Sequence, residues 1–348
     1  MSKTLFSEFD YFNYDFVPDR LALKKYHLNR QKPLLIFDEI HKMPKWKQWL
    51  KGLYDTQGIP PRLLVTGSAK LDTFKKVGDS LAGRFFQYRL YPFDLKELST
   101  WGPVTDGISR LLTVGNFPEP YLENDPDFTK RWQRTHIDIM LRQDFIDTHS
   151  VHNLQQVETL IALLRTRVGA CISYSNLAQD LNCDPGSVKR WLQLLESFYV
   201  IFAVTPYAGT LSKSIRKQPK YYFYDTANVE GDDGAKFENL VANALLKNLH
   251  FKEDTKGIHT QLHYIKTKDG KEVDFAIIQD KQITHLIEAK WRDAKPSHAL
   301  NYFKDRLQPK QKTPIIQVQA IRYLDRDFST ANGIQVCQAT PWLETLAL

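Results

Sequence analysis

The first part of the chain alternates short apolar runs with a helical pattern. Residues 34–37 form a continuous apolar run flanked by polar residues, which predicts a strand buried on both faces of a parallel sheet. Apolar residues recur at helical spacing over 44–54, and a second buried-strand run follows at 62–68. This order of strand, helix and strand predicts an α/β core.

Between residues 150 and 222 the pattern is first helical and then strand-like. One apolar helical face extends over 157–168, and two further helices are predicted at 175–181 and from Ser187 onward. A strand pattern over 199–204 follows, so the order predicts a helix-turn-helix with a β-hairpin, that is, a winged-helix module. A packing module between two larger domains is the alternative.

The last part of the chain predicts a helix followed by a sheet. Residues 237–245 have a helical apolar stripe, and 262–268 and 271–278 flank the two-residue turn Asp269-Gly270, as in a β-hairpin. A third strand is predicted at 283–291. The predicted domains are therefore 1–145, 150–222 and 223–348, all of α/β or helical character.

Composition excludes some classes of protein. The chain has 348 residues with 42% hydrophobic content, and no apolar run approaches the roughly 18 residues that cross a bilayer. The N-terminus is acidic and has no signal-type apolar stretch, so we expect no membrane association and a cytoplasmic location. The three cysteines form no C-x-x-C pair, and the net charge of +7 is compatible with a nucleic-acid partner without identifying one.

Polar groups follow both predicted strands of the first part. Asp38 and Glu39 end the first strand, and Thr66 and Ser68 end the second. In ATPases the first acid of such a pair lies near the Mg²⁺ shell and the second orients the attacking water, while polar groups at the next strand end sense the terminal phosphate. A polar strand end that caps the following helix is the alternative.

Several segments together resemble one family, the bacterial and archaeal AAA-type ATPases that end in a poorly characterised C-terminal domain. In chain order these segments are LLIFDEIHKMP, LLVTGSAK, SLAGRFFQYRLYPFDLKEL, GNFPE and YYFYDT. The resemblance implies that Asp38 and Glu39 are the Walker B acids, with Glu39 catalytic, and that Ser68 is the polar sensor. It also implies that Arg84 contacts nucleotide phosphate, either within one subunit or across a homo-oligomer interface. An ion pair between Arg84 and a surface acid is the alternative.

One part of the family pattern is missing from this sequence. No glycine occurs before Gly52, so the segment upstream of the acidic strand contains no G-x-x-x-x-G-K-[ST] loop, whose backbone N–H groups would cradle phosphates. We therefore expect a truncated or degenerate reading frame with only a partial P-loop core. ATP is expected as a cofactor only where the missing loop is supplied.

The C-terminal strands carry the most complete chemical pattern. Side chains alternate along a strand, so Glu288 and Lys290 share one face, where Asp274 from the neighbouring strand and Glu238 from the helix can approach them. This order resembles the restriction-endonuclease-like, or PD-(D/E)XK, fold. The resemblance implies that Glu238, Asp274 and Glu288 hold Mg²⁺ and that Lys290 is catalytic. A hairpin with ordinary exposed acids is the alternative.

Basic residues suggest where DNA or RNA would bind. Lys189 and Arg190 lie at the exposed start of the third predicted helix of the middle segment, and Arg216 and Lys217 lie on the wing side. Residues 290–312 are also basic, with interleaved aromatics, and suit either phosphate contacts or a solvated helix face. We expect an AAA-type ATPase-family protein whose C-terminal domain acts on nucleic acid. The alternative is a non-catalytic nucleic-acid-binding or regulatory protein, or a degenerate gene product.

Overall fold

A computed structural model describes residues 7–28, 31–57, 62–67, 81, 83–102, 106–145, 151–207 and 218–348. The chain divides into two compact units, residues 1–86 and residues 87–348. Each unit is described by itself. Among the residues described, none of the helices combines the length and the apolar character needed to cross a bilayer.

The first unit contains a three-stranded parallel sheet. Its strands are β1 (Asp10–Asn13), β2 (Leu34–Asp38) and β3 (Arg62–Thr66), in the order β1-β2-β3, and its helices are α1 (Val17–Lys24) and α2 (Trp46–Gln57). The central strand β2 has a fully buried apolar run, as a strand with neighbours on both sides and helices over its faces requires. The predicted strand, helix and second strand are confirmed.

The second unit is built on an eight-stranded mixed sheet in the order β10-β11-β9-β8-β7-β6-β4-β5. The strands are β4 (Ile201–Pro206), β5 (Lys220–Phe223), β6 (Thr260–Lys266), β7 (Glu272–Gln279), β8 (Gln282–Lys290), β9 (Ile316–Ile321), β10 (Phe328–Ser329) and β11 (Ile334–Gln338). The β6–β7 and β7–β8 pairs are antiparallel, whereas β8–β9 and β9–β11 are parallel. The predicted hairpin and third strand are β6, β7 and β8.

Along the chain, the helices of this unit lie before, between and after these strands. They are α3 (Leu95–Ser99), α4 (Gly107–Val114), α5 (Pro118–Glu123), α6 (Pro126–Phe145), α7 (Val151–Arg165), α8 (Tyr174–Asp180), α9 (Pro185–Ser197), α10 (Asp233–Lys256), α11 (His298–Leu307) and α12 (Ala339–Glu344). The longest described helix of this unit, α10, begins at the N-cap Asp232, whose side chain accepts the N–H of Ala235, and ends at Gly257 with φ +67°. Its buried residues contribute to the main core.

The hairpin predicted as a wing belongs to the same sheet as the predicted nuclease strands. Strand β4 pairs antiparallel with β5 and parallel with β6, where Thr205 lies opposite His263. The predicted boundary at 222/223 therefore falls inside β5, and the one near 145–150 falls inside the second unit. Pairing between strands that are distant in the chain leaves no local sequence pattern. The winged-helix assignment of α7–α9 stays a prediction.

The GNFPE and YYFYDT segments are hydrogen-bonded to each other. Asp225 accepts the N–H of Asn116 (3.2 Å), and the N–H of Thr226 donates to Asn116 Oδ1 (3.0 Å). The Asn116 side chain also donates to the carbonyl of Phe93 (3.0 Å). All three polar residues are buried, and buried polar groups need such partners. These hydrogen bonds therefore join the segment after α4 to the segment after β5.

Candidate active site

Three of the predicted residues meet where β7 begins and β8 ends. Lys290 Nζ lies 3.1 Å from Glu288 Oε2, and Asp274 Oδ2 accepts the N–H of Ala289 (3.0 Å). The antiparallel register of β7 and β8 positions Asp274 next to the Glu288 segment. The structure thus brings Asp274, Glu288 and Lys290 together.

The carboxylates of this cluster are shielded from water. Glu288 is 3% exposed and Asp274 is 8% exposed. Burial raises the pKa of Glu288 well above its usual range, and the charge of Asp274 adds to this effect. Burial alone would lower the pKa of Lys290, but the charges of Asp274 and Glu288 outweigh it and raise that pKa. The two carboxylates therefore favour the protonated form of Lys290.

The other oxygen of Glu288 is held from a loop that the sequence analysis did not identify. Ser297, the residue before α11, donates from its hydroxyl to Glu288 Oε1 (3.0 Å), and its N–H donates to Gln319 Oε1 (2.8 Å). The fully buried Gln319 side chain in turn donates to the carbonyls of Asp293 and Lys295. This hydrogen-bond network fixes the orientation of the Glu288 carboxylate.

Glu238 is held by strand β5. Tyr222 donates from its hydroxyl to Glu238 Oε1 (2.6 Å), and Lys220 Nζ lies 3.4 Å from the same oxygen. Burial raises the pKa of Glu238 to about 7, and the nearby charge of Asp274 contributes. Glu238 is therefore close enough to the Asp274 cluster to sense its charge, while its hydrogen bonds go to β5.

Lys220 is a buried cation that the sequence analysis did not assign to the site. It is 1% exposed, and its Nζ lies 2.5 Å from Glu272 in addition to its contact with Glu238. Burial opposes its charge, but Glu238, Asp274 and Glu272 together raise its pKa. A usable signal was present, because Lys220 is the one charged residue of this strand and shares a face with Tyr222.

The carboxylates of this cluster would supply Mg²⁺ with two protein ligands. Among the described residues, no group of three or more His, Cys, Asp or Glu side chains is arranged to hold a metal ion, so the predicted trio of Glu238, Asp274 and Glu288 does not form such a group. Mg²⁺ usually binds one or two carboxylates and completes its shell with water and substrate phosphate. Asp274 and Glu288 are two adjacent carboxylates of this kind, and Glu288 is contacted by Lys290 and Ser297 as Glu238 is by Tyr222 and Lys220.

Gly169 lies against Glu238 and yields a direct test of this packing. A Cβ at Gly169 (φ +74°) would lie 2.9 Å and 3.0 Å from the Glu238 carboxylate oxygens. We expect Gly169→Ala to lower the free energy of unfolding by about 2–4 kcal/mol, from left-handed backbone strain plus displacement of the half-buried, hydrogen-bonded Glu238 carboxylate. Urea unfolding would measure this loss.

Gly257→Ala is the matched control, because Gly257 has a similar φ of +67° and open space around its Cβ position. The loss of stability in Gly257→Ala should therefore come from backbone strain alone. Equal losses for Gly169→Ala and Gly257→Ala would show that Glu238 moves freely and is not held as described.

The two acids of the first unit that are predicted to bind nucleotide, Asp38 and Glu39, both contact nearby polar side chains. Asp38 accepts hydrogen bonds from the hydroxyls of Tyr11 (2.5 Å) and Thr66 (2.6 Å). Glu39 has a positive φ of 55°, an uncommon conformation for a non-glycine residue, and its carboxylate lies 3.2 Å from Lys42 Nζ. Both acids occupy the end of β2 as predicted.

Of the other two predicted nucleotide-binding residues, the structure describes Arg84 but not Ser68. Arg84 Nε lies 3.0 Å from Asp55 Oδ1, which corresponds to the surface ion pair considered as the alternative. Ser68 lies outside the described residues.

The predicted nucleic-acid residues on α9 are exposed. Lys189 and Arg190 both face solvent, and Arg190 donates to the Ser187 hydroxyl (2.7 Å). Asp184, the N-cap of α9, accepts the N–H of Ser187 (2.9 Å) and introduces a negative charge beside the basic pair. Arg216 and Lys217 lie outside the described residues. Contact between α9 and DNA or RNA stays a prediction.

Three protein-family models match successive segments of the chain. They are described as an AAA domain (residues 2–99), domain of unknown function DUF8612 (105–229) and domain of unknown function DUF4143 (233–340). The first and third matches support an AAA-type ATPase family for this chain. No solved structure matches the chain.

The chain is similar to bacterial and archaeal proteins that are described only as uncharacterized proteins. A protein of Mycobacterium tuberculosis is 25% identical over 207 residues, which cover 60% of this chain and 46% of the relative. A protein of Methanocaldococcus jannaschii is 23% identical over 71% of this chain and 59% of its own length. One from Haemophilus influenzae is 22% identical over 81% of this chain and 73% of its own length. The chain thus spans about half the length of the first of these relatives.

Proposed function

We propose that the second unit is a magnesium-dependent phosphodiesterase of the restriction-endonuclease-like type that acts on nucleic acid. The observation that carries the proposal is the pair of buried carboxylates Asp274 and Glu288, with Lys290 Nζ 3.1 Å from Glu288. Two carboxylates and a lysine at one point on paired strands suit metal-assisted attack on a phosphodiester.

Each residue has a defined task in this proposal. Asp274 and Glu288 would hold Mg²⁺, which when bound polarises the phosphodiester and activates water. Ser297 keeps the Glu288 carboxylate oriented by donating to Oε1. Lys290 would stabilise the negative charge that develops on the phosphate. Tyr222 and Lys220 fix Glu238 at the edge of the site.

Metal-dependent cleavage by the purified chain tests this proposal. We expect cutting of single-stranded DNA, duplex DNA or RNA with Mg²⁺ or Mn²⁺ and none with EDTA. Lys290→Met should reduce the rate by about 10²-fold, because it removes one preorganised electrostatic stabiliser. Lys268→Met, at an exposed lysine of the β6–β7 turn, should keep the full rate. Cutting that persists with EDTA, or equally in Lys290→Met, would contradict the assignment.

A second candidate is a non-catalytic nucleic-acid-binding or regulatory protein. Its supporting observation is that Lys189 and Arg190 are both exposed on α9. In that case the purified chain would bind nucleic acid, with Lys189 and Arg190 as candidate contacts, and would not cut it under any metal condition.

The proposal for the first unit is nucleotide binding that depends on a phosphate loop supplied from elsewhere. The AAA match and the acids at the end of β2 support it. In such an assembly Asp38 would lie near Mg²⁺ and Glu39 would orient water, with Ser68 as the sensor. Arg84 would leave Asp55 to contact phosphate, within a subunit or across a homo-oligomer interface.

A further inference from the structure

The loop between β8 and α11, residues 291–297, lies next to the candidate active site. It follows Lys290 directly, and the Lys290 amine lies 3.1 Å from Glu288 Oε2. At the other end of the loop, the Ser297 hydroxyl donates to Glu288 Oε1 (3.0 Å). The loop therefore begins and ends beside the Glu288 carboxylate.

A buried glutamine of β9 fixes the backbone of this loop. Gln319 is fully buried and lies opposite Glu288 in the parallel β8–β9 pair. Its Oε1 accepts the N–H of Ser297 (2.8 Å), and its Nε2 donates to the carbonyls of Asp293 (3.1 Å) and Lys295 (2.9 Å). Because one buried side chain satisfies three backbone groups, the loop has a fixed position on β9.

The loop also presents a positive charge to solvent. Residues 290–297 include three basic residues and one acid. Lys295 is exposed, and no described residue forms an ion pair with its amine. The acid, Asp293, accepts the N–H of Lys295 (2.9 Å) and lowers the local charge without removing it. The net charge of the segment stays positive, which favours an anionic ligand.

We propose that this loop binds the sugar-phosphate backbone of a nucleic acid, and that Lys295 contacts a phosphate next to the one that is cut. The inference deepens the proposed phosphodiesterase function and rests on it, because Lys290 marks the position of the reacting phosphate. Lys295 is two residues from Ser297, which holds the loop at Glu288. Contacts to neighbouring phosphates position a nucleic acid without reading its sequence. The site should therefore favour a chain of phosphodiesters over a single phosphodiester.

Binding without cutting tests the role of Lys295. The wild-type chain would be titrated in EDTA with a fluorescent 20-nucleotide oligothymidine at several salt concentrations. Lys295→Gln should weaken binding about fivefold at low salt, the upper end for an exposed ion pair. It should also flatten the slope of log K against log salt by about 0.7, the value for one phosphate contact on a single strand.

Lys312→Gln is the matched control for this binding experiment. Lys312 is an exposed lysine next to Gln311, whose side chain is hydrogen-bonded to Ile283 near the opposite end of β8. This variant removes the same charge from the chain, far from Glu288, and should bind the oligothymidine as the wild type does. Equal weakening in Lys295→Gln and Lys312→Gln would overturn the loop as a specific phosphate contact.

Cleavage kinetics test whether the loop selects a polymer. With Mn²⁺, Lys295→Gln should raise KM for the 20-nucleotide oligothymidine about fivefold and leave kcat unchanged, because the contact is made equally in the ground state and the transition state. For thymidylyl-thymidine, which has a single phosphodiester, kcat/KM should not change. An equal fall in kcat/KM for both substrates would show that Lys295 affects the reacting phosphate or the fold, and would overturn the proposed contact.

Gln319→Leu tests whether the fixed position of the loop matters. We expect it to reproduce the binding defect of Lys295→Gln and to lower Mn²⁺ affinity about 10- to 100-fold, the range for losing outer support of a metal ligand. Gln317→Leu is the matched control, because Gln317 is also fully buried on the same face of β9 but donates to Asn301 of α11 (3.1 Å). It should keep both properties.

Ser297 variants give the same test with a smaller change in the core. Ser297→Ala should lower Mn²⁺ affinity within the same range, because Glu288 loses the hydroxyl that holds Oε1. Ser297→Thr keeps a hydroxyl and should bind Mn²⁺ as the wild type does. Unchanged Mn²⁺ binding in both Gln319→Leu and Ser297→Ala would overturn Gln319 as a positioning residue for Glu288.

The outcomes distinguish this inference from the function on which it rests. Metal-dependent cutting with unchanged binding and KM in Lys295→Gln would keep the phosphodiesterase and overturn the loop assignment. Binding that depends on Lys295, in a chain whose wild type cuts nothing with any metal, would keep the loop as a phosphate-binding element and overturn the phosphodiesterase.

Discussion

Asp274→Asn is expected to reduce metal-dependent cleavage by about 10³-fold. A bound metal contributes several kcal/mol to stabilising the transition state, and each 1.36 kcal/mol corresponds to a tenfold change in rate. Asparagine keeps an oxygen that can accept the N–H of Ala289, now bound to Asp274 at 3.0 Å, so the strand pairing should survive. The rate of oligonucleotide cleavage and the binding of Mn²⁺ followed by electron paramagnetic resonance would measure the loss.

Two further variants make this result interpretable. Glu288→Gln should lose cleavage and Mn²⁺ binding to a similar extent, because Glu288 is the second proposed ligand. Asp280→Asn changes an exposed acid at the other end of the β7–β8 pair, where its φ of 46° is one that asparagine tolerates, and should keep both activities. Loss of cleavage in Asp274→Asn with unchanged Mn²⁺ binding would contradict the role of Asp274 as a metal ligand.

Lys220→Met is expected to lower the free energy of unfolding by about 3–5 kcal/mol. Lys220 is 1% exposed and lies 2.5 Å from Glu272 and 3.4 Å from Glu238. Removing one partner of a buried ion pair leaves the other charge uncompensated, which is far more destabilising than losing a surface pair. Urea unfolding followed by circular dichroism would measure the change.

The reason for the loss can be tested by neutralising the acids as well. Lys220→Met combined with Glu238→Gln and Glu272→Gln should regain most of the lost stability, because a buried ion pair replaced by neutral groups is often close to neutral in energy. Lys266→Met, which removes the other lysine paired with Glu272, should cost less than Lys220→Met, because 23% of the Lys266 side chain is exposed against 2% of the Lys220 side chain. Equal losses for Lys220→Met and Lys266→Met would show that Lys220 is not the buried counter-ion described.

Local pattern predicted most elements of both units. The run at 34–37 became β2, and the turn Asp269-Gly270 joins β6 to β7. The strand alternation also predicted that Glu288 and Lys290 share a face near Asp274, because side-chain direction along a strand depends only on position. These features follow from neighbours in the chain, so they are visible in the sequence.

The residues that contact the predicted acids could not be predicted from local sequence patterns. Glu238 is bound by Lys220 and Tyr222, which the predicted domain division assigned to a separate winged-helix module. Ser297 and Gln319 support Glu288, yet neither belongs to a motif that the sequence analysis singled out. Each of these contacts joins segments separated by at least nine residues and depends on the order of strands in the sheet.

The sequence by itself determined the class of the elements, the acidic end of β2 and the Asp274, Glu288 and Lys290 cluster, because hydrophobic period and side-chain alternation are local properties. Only the tertiary structure decided that β4 and β5 extend the C-terminal sheet and that Glu238 pairs with the buried Lys220. These features depend on which distant surfaces become buried together, and burial of one surface against another is set by the whole fold.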